Sequence, residues 1–184
     1  MYVTLMEDYI DKRQVEIAPE NHDKEEKSYY IPHHVVIKEK NAEIKGLIVF
    51  NASSHTPGHP SLNDVLEQGP NLLPEILATL LLPLHKQAII SDESQAFLQL
   101  TLWEKDRSAT KFLWFKTRTN GDGHLQLENE IVVYQFTRLP FGLTSSPYLL
   151  SATLDKLSCM YSNIYPTAAK HLNSHNEIIH ENII

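Results

Sequence analysis

The chain has 184 residues, 42% of them hydrophobic, and a formal net charge of −7. A chain of this length and composition can bury a core of its own, which excludes a disordered protein. The acidic balance argues against a surface that binds many phosphates. The single cysteine, Cys159, excludes an internal disulfide and a CxxC zinc site.

The sequence shows no targeting or membrane segment. The first residues, MYVTLMEDYIDKR, lack the basic and apolar parts of a secretory signal. The longest apolar run, LLPEILATLLLPL, is shorter than a bilayer-spanning helix and contains Pro74 and Pro83. We therefore expect an intracellular protein with no membrane contact.

The first third of the chain predicts a helix and a β-hairpin. The helix is expected over residues 3–14, and a polar, charged linker follows at residues 18–28. Two β-rich runs, YYIPHHVVIKE and IKGLIVFNA, flank the polar stretch KNAE, which indicates a hairpin. The proline-, glycine- and serine-rich stretch SSHTPGHPSLND then predicts a loop.

The middle of the chain predicts a helix, a strand and a second hairpin. Leucine and isoleucine recur at three- and four-residue spacing between Asn71 and Pro83, which is typical of a helix with one apolar face. The run KQAIIS predicts a buried strand that ends at Asp92, whereas SQAFLQLTL fits a helical turn or a strand. Two β-rich runs, TKFLWFKT and EIVVYQFTRL, are joined through the turn sequence NGDG.

The last part of the chain predicts two helices. Ser146 suits the N-cap of the first and Pro147 suits its first turn. A second short helix is expected after Pro166, and EIIHENII predicts a final strand. Strands and helices in this order predict an α+β fold.

Asp92 is the first candidate for chemistry. A carboxylate at the end of a buried strand can hold a divalent cation, because the strand fixes its position and the loop leaves room for substrate. Asp92 can also be the N-cap of a helix over ESQAF, and the residues alone favour the cap over the metal ligand.

The segment RLPFGLTSSP is the second candidate. Gly142 in its tight turn permits either a close approach of the backbone to a ligand or a positive φ. A plain connection from a strand to a helix explains the same pattern.

Six segments together resemble a known family. In chain order they are YYIPHH, IVFNASSHT, SLNDVLEQGPNL, IISDESQAFLQL, DRSATKFLW and YQFTRLPFGLTSSPYLL. In this order they resemble the reverse transcriptase domain of BEL/Pao-type LTR retrotransposons, a part of the Pol polyprotein. The resemblance runs from about Tyr29 to at least Leu154 and extends to Pro166–Leu172. The resemblance implies an RNA-directed DNA polymerase. It also implies a right-hand fold, of which this chain holds the fingers and part of the palm and ends before the Tyr-x-Asp-Asp hairpin.

The resemblance also implies a division of the chain. The expected parts are an N-terminal helix and linker at residues 1–28, fingers-like segments at 29–86 and 104–139, and palm segments at 87–103 and 140–184.

The family transfers nucleotides with two Mg²⁺ ions, which activate the primer oxygen and stabilise the leaving pyrophosphate. The resemblance implies that Asp92 is the first of three catalytic carboxylates and binds both ions. It implies that the backbone carbonyl of Glu93 is a further ligand.

The implied partners are an RNA or DNA template–primer and deoxynucleoside triphosphates. The resemblance implies that Phe97 is at the steric-gate position, where an aromatic ring excludes the 2′-hydroxyl of ribose. Phe141 and Gly142 are implied to line the incoming nucleotide, and Lys45 to lie near its triphosphate.

The chain departs from the family at several positions. It contains no Tyr-x-Asp-Asp sequence. In the family, this sequence supplies the other two catalytic aspartates. Leu47 stands where the family usually has arginine, Asn51 where it has aspartate, and Glu93 where it has isoleucine or valine. We therefore expect no polymerase activity from this chain alone.

A reverse transcriptase of this family would act in the cytoplasm or in a virus-like particle. Two alternatives to this function stay open. One is a decayed, non-catalytic transposon remnant with weak or no nucleic-acid binding. The other is an α+β interaction domain in which Asp92 is only a helix cap.

Overall fold

The computed structural model describes residues 1–19, 29–40, 43–72, 93–121 and 125–173. The chain forms two compact units. Unit 1 comprises Met1–Glu67 and Phe97–Thr144, and unit 2 comprises Gln68–Ala96 and Ser145–Ile184.

Unit 1 contains most of the described helices and strands. In chain order they are α1 (Tyr2–Asp11), β1 (Val15–Ile17), β2 (His33–Lys40), β3 (Glu43–Phe50), α2 (Leu62–Val65), α3 (Glu104–Arg107), a 3-10 turn (Ser108–Thr110), β4 (Lys111–Thr119) and β5 (Leu125–Phe136). A further 3-10 turn (Ala96–Gln99) stands at the boundary of the two units, and unit 2 contributes α4 (Ser146–Tyr161) and α5 (Pro166–Asn173).

Two antiparallel sheets form the β part of unit 1. One has three strands in the order β1-β5-β4, and the other is the hairpin β2-β3. Both hairpins predicted from the sequence are confirmed: Phe112 pairs with Tyr134, and Val35 pairs with Ile48. The mixed α+β class is therefore confirmed, whereas the right-hand polymerase fold and its division into fingers and palm stay predictions.

The two sheets share an aromatic core. Side chains on alternate positions of a strand face the same side of its sheet. On the core side, Phe112 of β4 and Phe136 of β5 meet Phe50 at the end of β3. The ring centroid of Phe50 lies 5.1 Å from that of Phe112 and 4.8 Å from that of Phe136. Trp114 on the same face of β4 is buried, whereas Leu113 on the other face is half exposed.

The N-terminal segment belongs to this core. Met6 and Tyr9 of α1 are buried in it. The helix expected over residues 3–14 ends earlier, because Arg13 adopts a φ of 53° and turns the chain into β1. Val15 of β1 then pairs with Phe136. The sequence did not predict this strand.

His33 connects α1, β2 and β4. Its Nε2 donates to the carbonyl oxygen of Leu113 at 2.9 Å, and its Nδ1 pairs with the hydroxyl of Tyr2. Because a carbonyl can only accept, this arrangement fits a neutral ring with the proton on Nε2. Three aromatic rings have centroids within 5.7 Å of the His33 ring: Phe50, Phe112 and Trp114.

The environment of His33 lowers its pKa from the ordinary value of 6.5. Burial is the main cause, and the neighbouring His34 acts in the same direction. The hydrogen bond to the Leu113 carbonyl opposes both, since it favours the protonated ring.

Four local predictions can be compared with the structure. Pro147 lies in the first turn of α4 as predicted, but the N-cap is Ser145, so the assignment of Ser146 was wrong by one position. The Ser145 side chain makes no capping hydrogen bond, so the first residue of α4 is not fixed by a side-chain cap. The helix after Pro166 is confirmed as α5. The ambiguous stretch SQAFLQLTL contains a 3-10 turn over Ala96–Gln99.

Several other predictions fall outside the described residues. These are the strand before Asp92, the final strand, the second half of the NGDG turn, almost all of the polar linker, and all but the first two residues of the helix between Asn71 and Pro83.

Candidate functional site

Phe97 and Phe141 are in contact in unit 1. Their ring centroids lie 4.9 Å apart at an interplanar angle of 86°, which is an edge-to-face arrangement. The Phe97 ring packs against the core, whereas Phe141 is 44% exposed. The two rings therefore form an aromatic surface, here called the wall, in which Phe97 packs against the core and Phe141 is exposed.

A short backbone pairing joins the segment after Phe97 to the segment before Phe141. Leu102 N–H donates to the Thr137 carbonyl, and Leu139 N–H donates to the Leu100 carbonyl, each at 2.9 Å. Arg138 strengthens this pairing, since its Nη1 donates to the Thr101 hydroxyl oxygen at 2.6 Å. Phe97 stands just before one of these segments and Phe141 just after the other.

Gly142 follows Phe141 in a conformation that other residues rarely adopt. Its φ is +92°, and a Cβ at this position would lie 2.6 Å from the carbonyl oxygen of Phe50. The turn therefore requires glycine for its positive φ and for its close packing against the end of β3.

Asn63 of α2 lies on the other side of this turn. Its Nδ2 donates to the Gly142 carbonyl oxygen at 2.8 Å, and its Oδ1 accepts from the Thr144 N–H at 2.9 Å. The sequence did not single out Asn63, because the stretch around it predicted a loop.

The structure corrects that loop prediction at its end. Ser61 caps α2: its hydroxyl accepts from the Asp64 N–H, and the Asp64 carboxylate accepts from the Ser61 N–H. The pattern Ser-x-x-Asp in the sequence was the signal that could have indicated this helix start. The hydrogen bond from the Ser61 backbone, followed by that from its hydroxyl, lowers the pKa of Asp64.

Lys45 is not close to the turn along its strand. It is exposed on β3, directly opposite Lys38 of β2. Phe50, which contacts the Gly142 turn, is five residues further along β3, or roughly 16 Å at the usual rise per residue. The structure thus brings together Phe97, Phe141 and Gly142, and it places Lys45 at the far part of the hairpin.

The predicted metal ligands cannot be placed beside this wall. Asp92 lies outside the described residues, and Glu93 is exposed and belongs to unit 2. In the described part of the chain no three histidine, cysteine, aspartate or glutamate residues lie close enough to hold a metal ion. The described residues therefore do not themselves form a site that fits a pair of Mg²⁺ ions.

A separate cleft of about 360 Å³ lies elsewhere on unit 1. Glu16, Arg107 and Gln135 are among its lining residues. Glu16 Oε1 accepts from Arg107 Nη1 at 3.0 Å and from Gln135 Nε2 at 2.8 Å. These polar groups bond one another, so they connect β1 to β5 and to α3.

Comparisons with known proteins do not identify this site. No family model matches the chain, and no curated protein matches it. Over the residues that the structure describes, no helix is long and apolar enough to cross a membrane.

Proposed function

We propose that the chain is the fingers and partial palm of a reverse-transcriptase-like domain of the BEL/Pao type. In this proposal it binds a deoxynucleoside triphosphate and a template–primer at the wall formed by Phe97 and Phe141. The contact between these two rings is the observation that supports the proposal most directly. The resemblance implies that both residues meet the incoming nucleotide, and they lie together although 44 positions separate them.

The contact also suits the role of a steric gate. A gate distinguishes deoxyribose from ribose only if its ring cannot move aside when a 2′-hydroxyl approaches. Phe97 is supported by the core and by the Phe141 ring, which limit the room its ring has to yield. The exposed Phe141 and the adjoining Gly142 backbone leave a surface to which a nucleotide can come close.

The proposal assigns binding and orientation to this chain, without a chemical step. The described residues lack the carboxylates that two Mg²⁺ ions need, and the sequence has no Tyr-x-Asp-Asp motif. We therefore expect the purified chain to extend no primer with Mg²⁺ or Mn²⁺.

Nucleotide discrimination tests the proposal. We would measure the affinity of the chain, with a template–primer present, for a deoxynucleoside triphosphate and for the matching ribonucleotide. We expect tighter binding of the deoxynucleotide, and we expect Phe97→Val to remove the preference because the smaller side chain admits the 2′-hydroxyl.

Phe115→Val is the matched control, since Phe115 is a part-exposed ring on β4 whose recorded ring contact is with Trp114. It should leave the preference intact. Absence of nucleotide and template–primer binding would overturn the proposal and favour a decayed remnant. Template-dependent primer extension would overturn the expected lack of polymerase activity.

A further inference from the structure

The side chain of Asn63 joins two segments that are distant in the sequence. Nδ2 donates at 2.8 Å both to the Gly142 carbonyl oxygen and to the hydroxyl oxygen of Ser53. Oδ1 accepts from the Thr144 N–H at 2.9 Å. The backbone N–H of Asn63 donates to the Ala52 carbonyl at 3.1 Å. Asn63 thus bonds the loop after β3 and the turn after β5 at the same time.

We propose that Asn63 is the positioning residue of this site. Its amide fixes the Phe141–Gly142 turn against the loop after β3, and it thereby sets the place of the Phe141 ring beside Phe97. The part of this inference that concerns nucleotide binding rests on the proposed function, whereas the positioning of the turn does not.

The chemistry of the contacts requires an amide. Nδ2 supplies two N–H donors and Oδ1 supplies an acceptor, in one plane and on a short side chain. Aspartate has the size of asparagine, but its carboxylate would face the Gly142 carbonyl and the Ser53 hydroxyl with no hydrogen to donate to the carbonyl. The bond from the Thr144 N–H would survive, and the Ser53 hydroxyl could turn to donate to the carboxylate, but the bond to the Gly142 carbonyl would be lost.

Asn63 is itself held in place. It is the second residue of α2, whose start is fixed by the reciprocal bonds of Ser61 and Asp64. Leu62, beside it, is buried in the core of unit 1. The amide therefore extends from an anchored helical turn.

Gly142 is restrained from two directions as a result. The Phe50 carbonyl oxygen lies where a Cβ of residue 142 would stand, and the Asn63 amide donates to the Gly142 carbonyl oxygen. Loss of the Asn63 bonds would leave the turn free to move away from β3. The Phe141 ring would then lose its fixed position against Phe97.

The test compares Asn63→Asp with Asn129→Asp, which makes the same chemical change at an exposed position on β5. The first readout is the nuclear Overhauser effect between the ring protons of Phe97 and Phe141. We expect Asn63→Asp to lose this signal near neutral pH and to keep the signal between Phe112 and Tyr134. Asn129→Asp should keep both.

The pH dependence of the variant separates positioning from general damage. As pH falls through the pKa of the new carboxyl group, the neutral acid gains one O–H donor that can bond the Gly142 carbonyl. We expect the signal between Phe97 and Phe141 to recover in Asn63→Asp at acid pH. If Asn63→Asp does not fold, Ser53→Ala removes one acceptor of the same amide and should weaken the signal partially.

The second readout is the affinity for a deoxynucleoside triphosphate, which should fall about tenfold in Asn63→Asp at neutral pH. Unchanged ring contact in Asn63→Asp, or in Ser53→Ala where that variant replaces it, would overturn the inference. If the ring contact is lost as expected but the unaltered chain binds no nucleotide, the positioning role stands and the proposed function fails.

Discussion

The carbonyl oxygen of Phe50 occupies the space that a Cβ at position 142 would need, at a distance of 2.6 Å. Gly142 also has a φ of +92°. Two separate restrictions therefore act on one residue, and the close approach of the Phe50 carbonyl links the turn after β5 to the end of β3.

Replacement of Gly142 by alanine tests this link. Gly142→Ala should destabilise unit 1 by about 2–4 kcal/mol, since the positive φ strains the backbone and the methyl group clashes with the Phe50 carbonyl. Gly58→Ala is the control, because Gly58 has a φ of +83° with no atom near its Cβ position. It should cost only about 1–2 kcal/mol. Equal losses in urea unfolding would show that the contact with Phe50 does not matter.

The ring pair should contribute a measurable coupling. In a double-mutant cycle with Phe97→Ala and Phe141→Ala, we expect the two losses of stability to be non-additive by about 0.5–1.5 kcal/mol. The reason is the edge-to-face contact, which either single substitution removes. A cycle between Phe97 and Phe115 should give a coupling near zero. Additive losses for Phe97 and Phe141 would contradict the contact.

His33 should make stability depend on pH in a defined direction. Because its pKa is lowered in the folded state, the unfolded chain binds more protons between the lowered pKa and the ordinary value of 6.5. The contribution to stability is therefore complete above that pH and is lost as the pH falls through the lowered pKa. His33→Gln keeps a donor and an acceptor without titrating, so this variant should lose less stability than the unaltered chain between about pH 7.5 and about pH 5.

His59 supplies the control for this measurement, since it is an exposed histidine in the loop before α2. His59→Gln should retain the full pH dependence of the unaltered chain. If His33→Gln also retains it, the arrangement around the His33 ring is not the cause.

The capping box of α2 should contribute to the stability of unit 1. Ser61→Ala removes the hydroxyl that accepts from the Asp64 N–H and should cost about 1 kcal/mol in urea unfolding. Ser54→Ala removes the same atom from a residue whose described hydrogen bonds are made by its backbone, and it should have little effect. A loss as small for Ser61→Ala as for Ser54→Ala would contradict the cap.

The hairpins could be predicted from the sequence because their signals are local. Alternate residues such as Phe112 and Trp114 are apolar and buried, and glycine and asparagine mark the turn between β4 and β5. β1 could not be predicted in this way. Three residues are too few to show a period, and what makes them a strand is pairing with β5 far along the chain.

The same distinction applies to the site. The resemblance brought Phe97, Phe141 and Gly142 forward as one group, and the structure places them together. Asn63 was not found, because its importance depends on partners 79 and 81 positions away. A polar residue in a loop-like stretch gives no local signal for bonds of that kind. For Asp92 the choice between a cap and a metal ligand stays open.

The pairing of β1 with β5 has a consequence for how unit 1 is made. Val15 pairs with Phe136, which a ribosome adds 121 residues later. Until then β1 has no strand to pair with, and Tyr9 lacks the Phe136 ring that it contacts in the folded unit. Closing so long a loop is slow compared with forming a hairpin. We therefore expect the N-terminal segment to be the part of a newly made chain most open to proteases and chaperones, and to become protected only after β5 has formed.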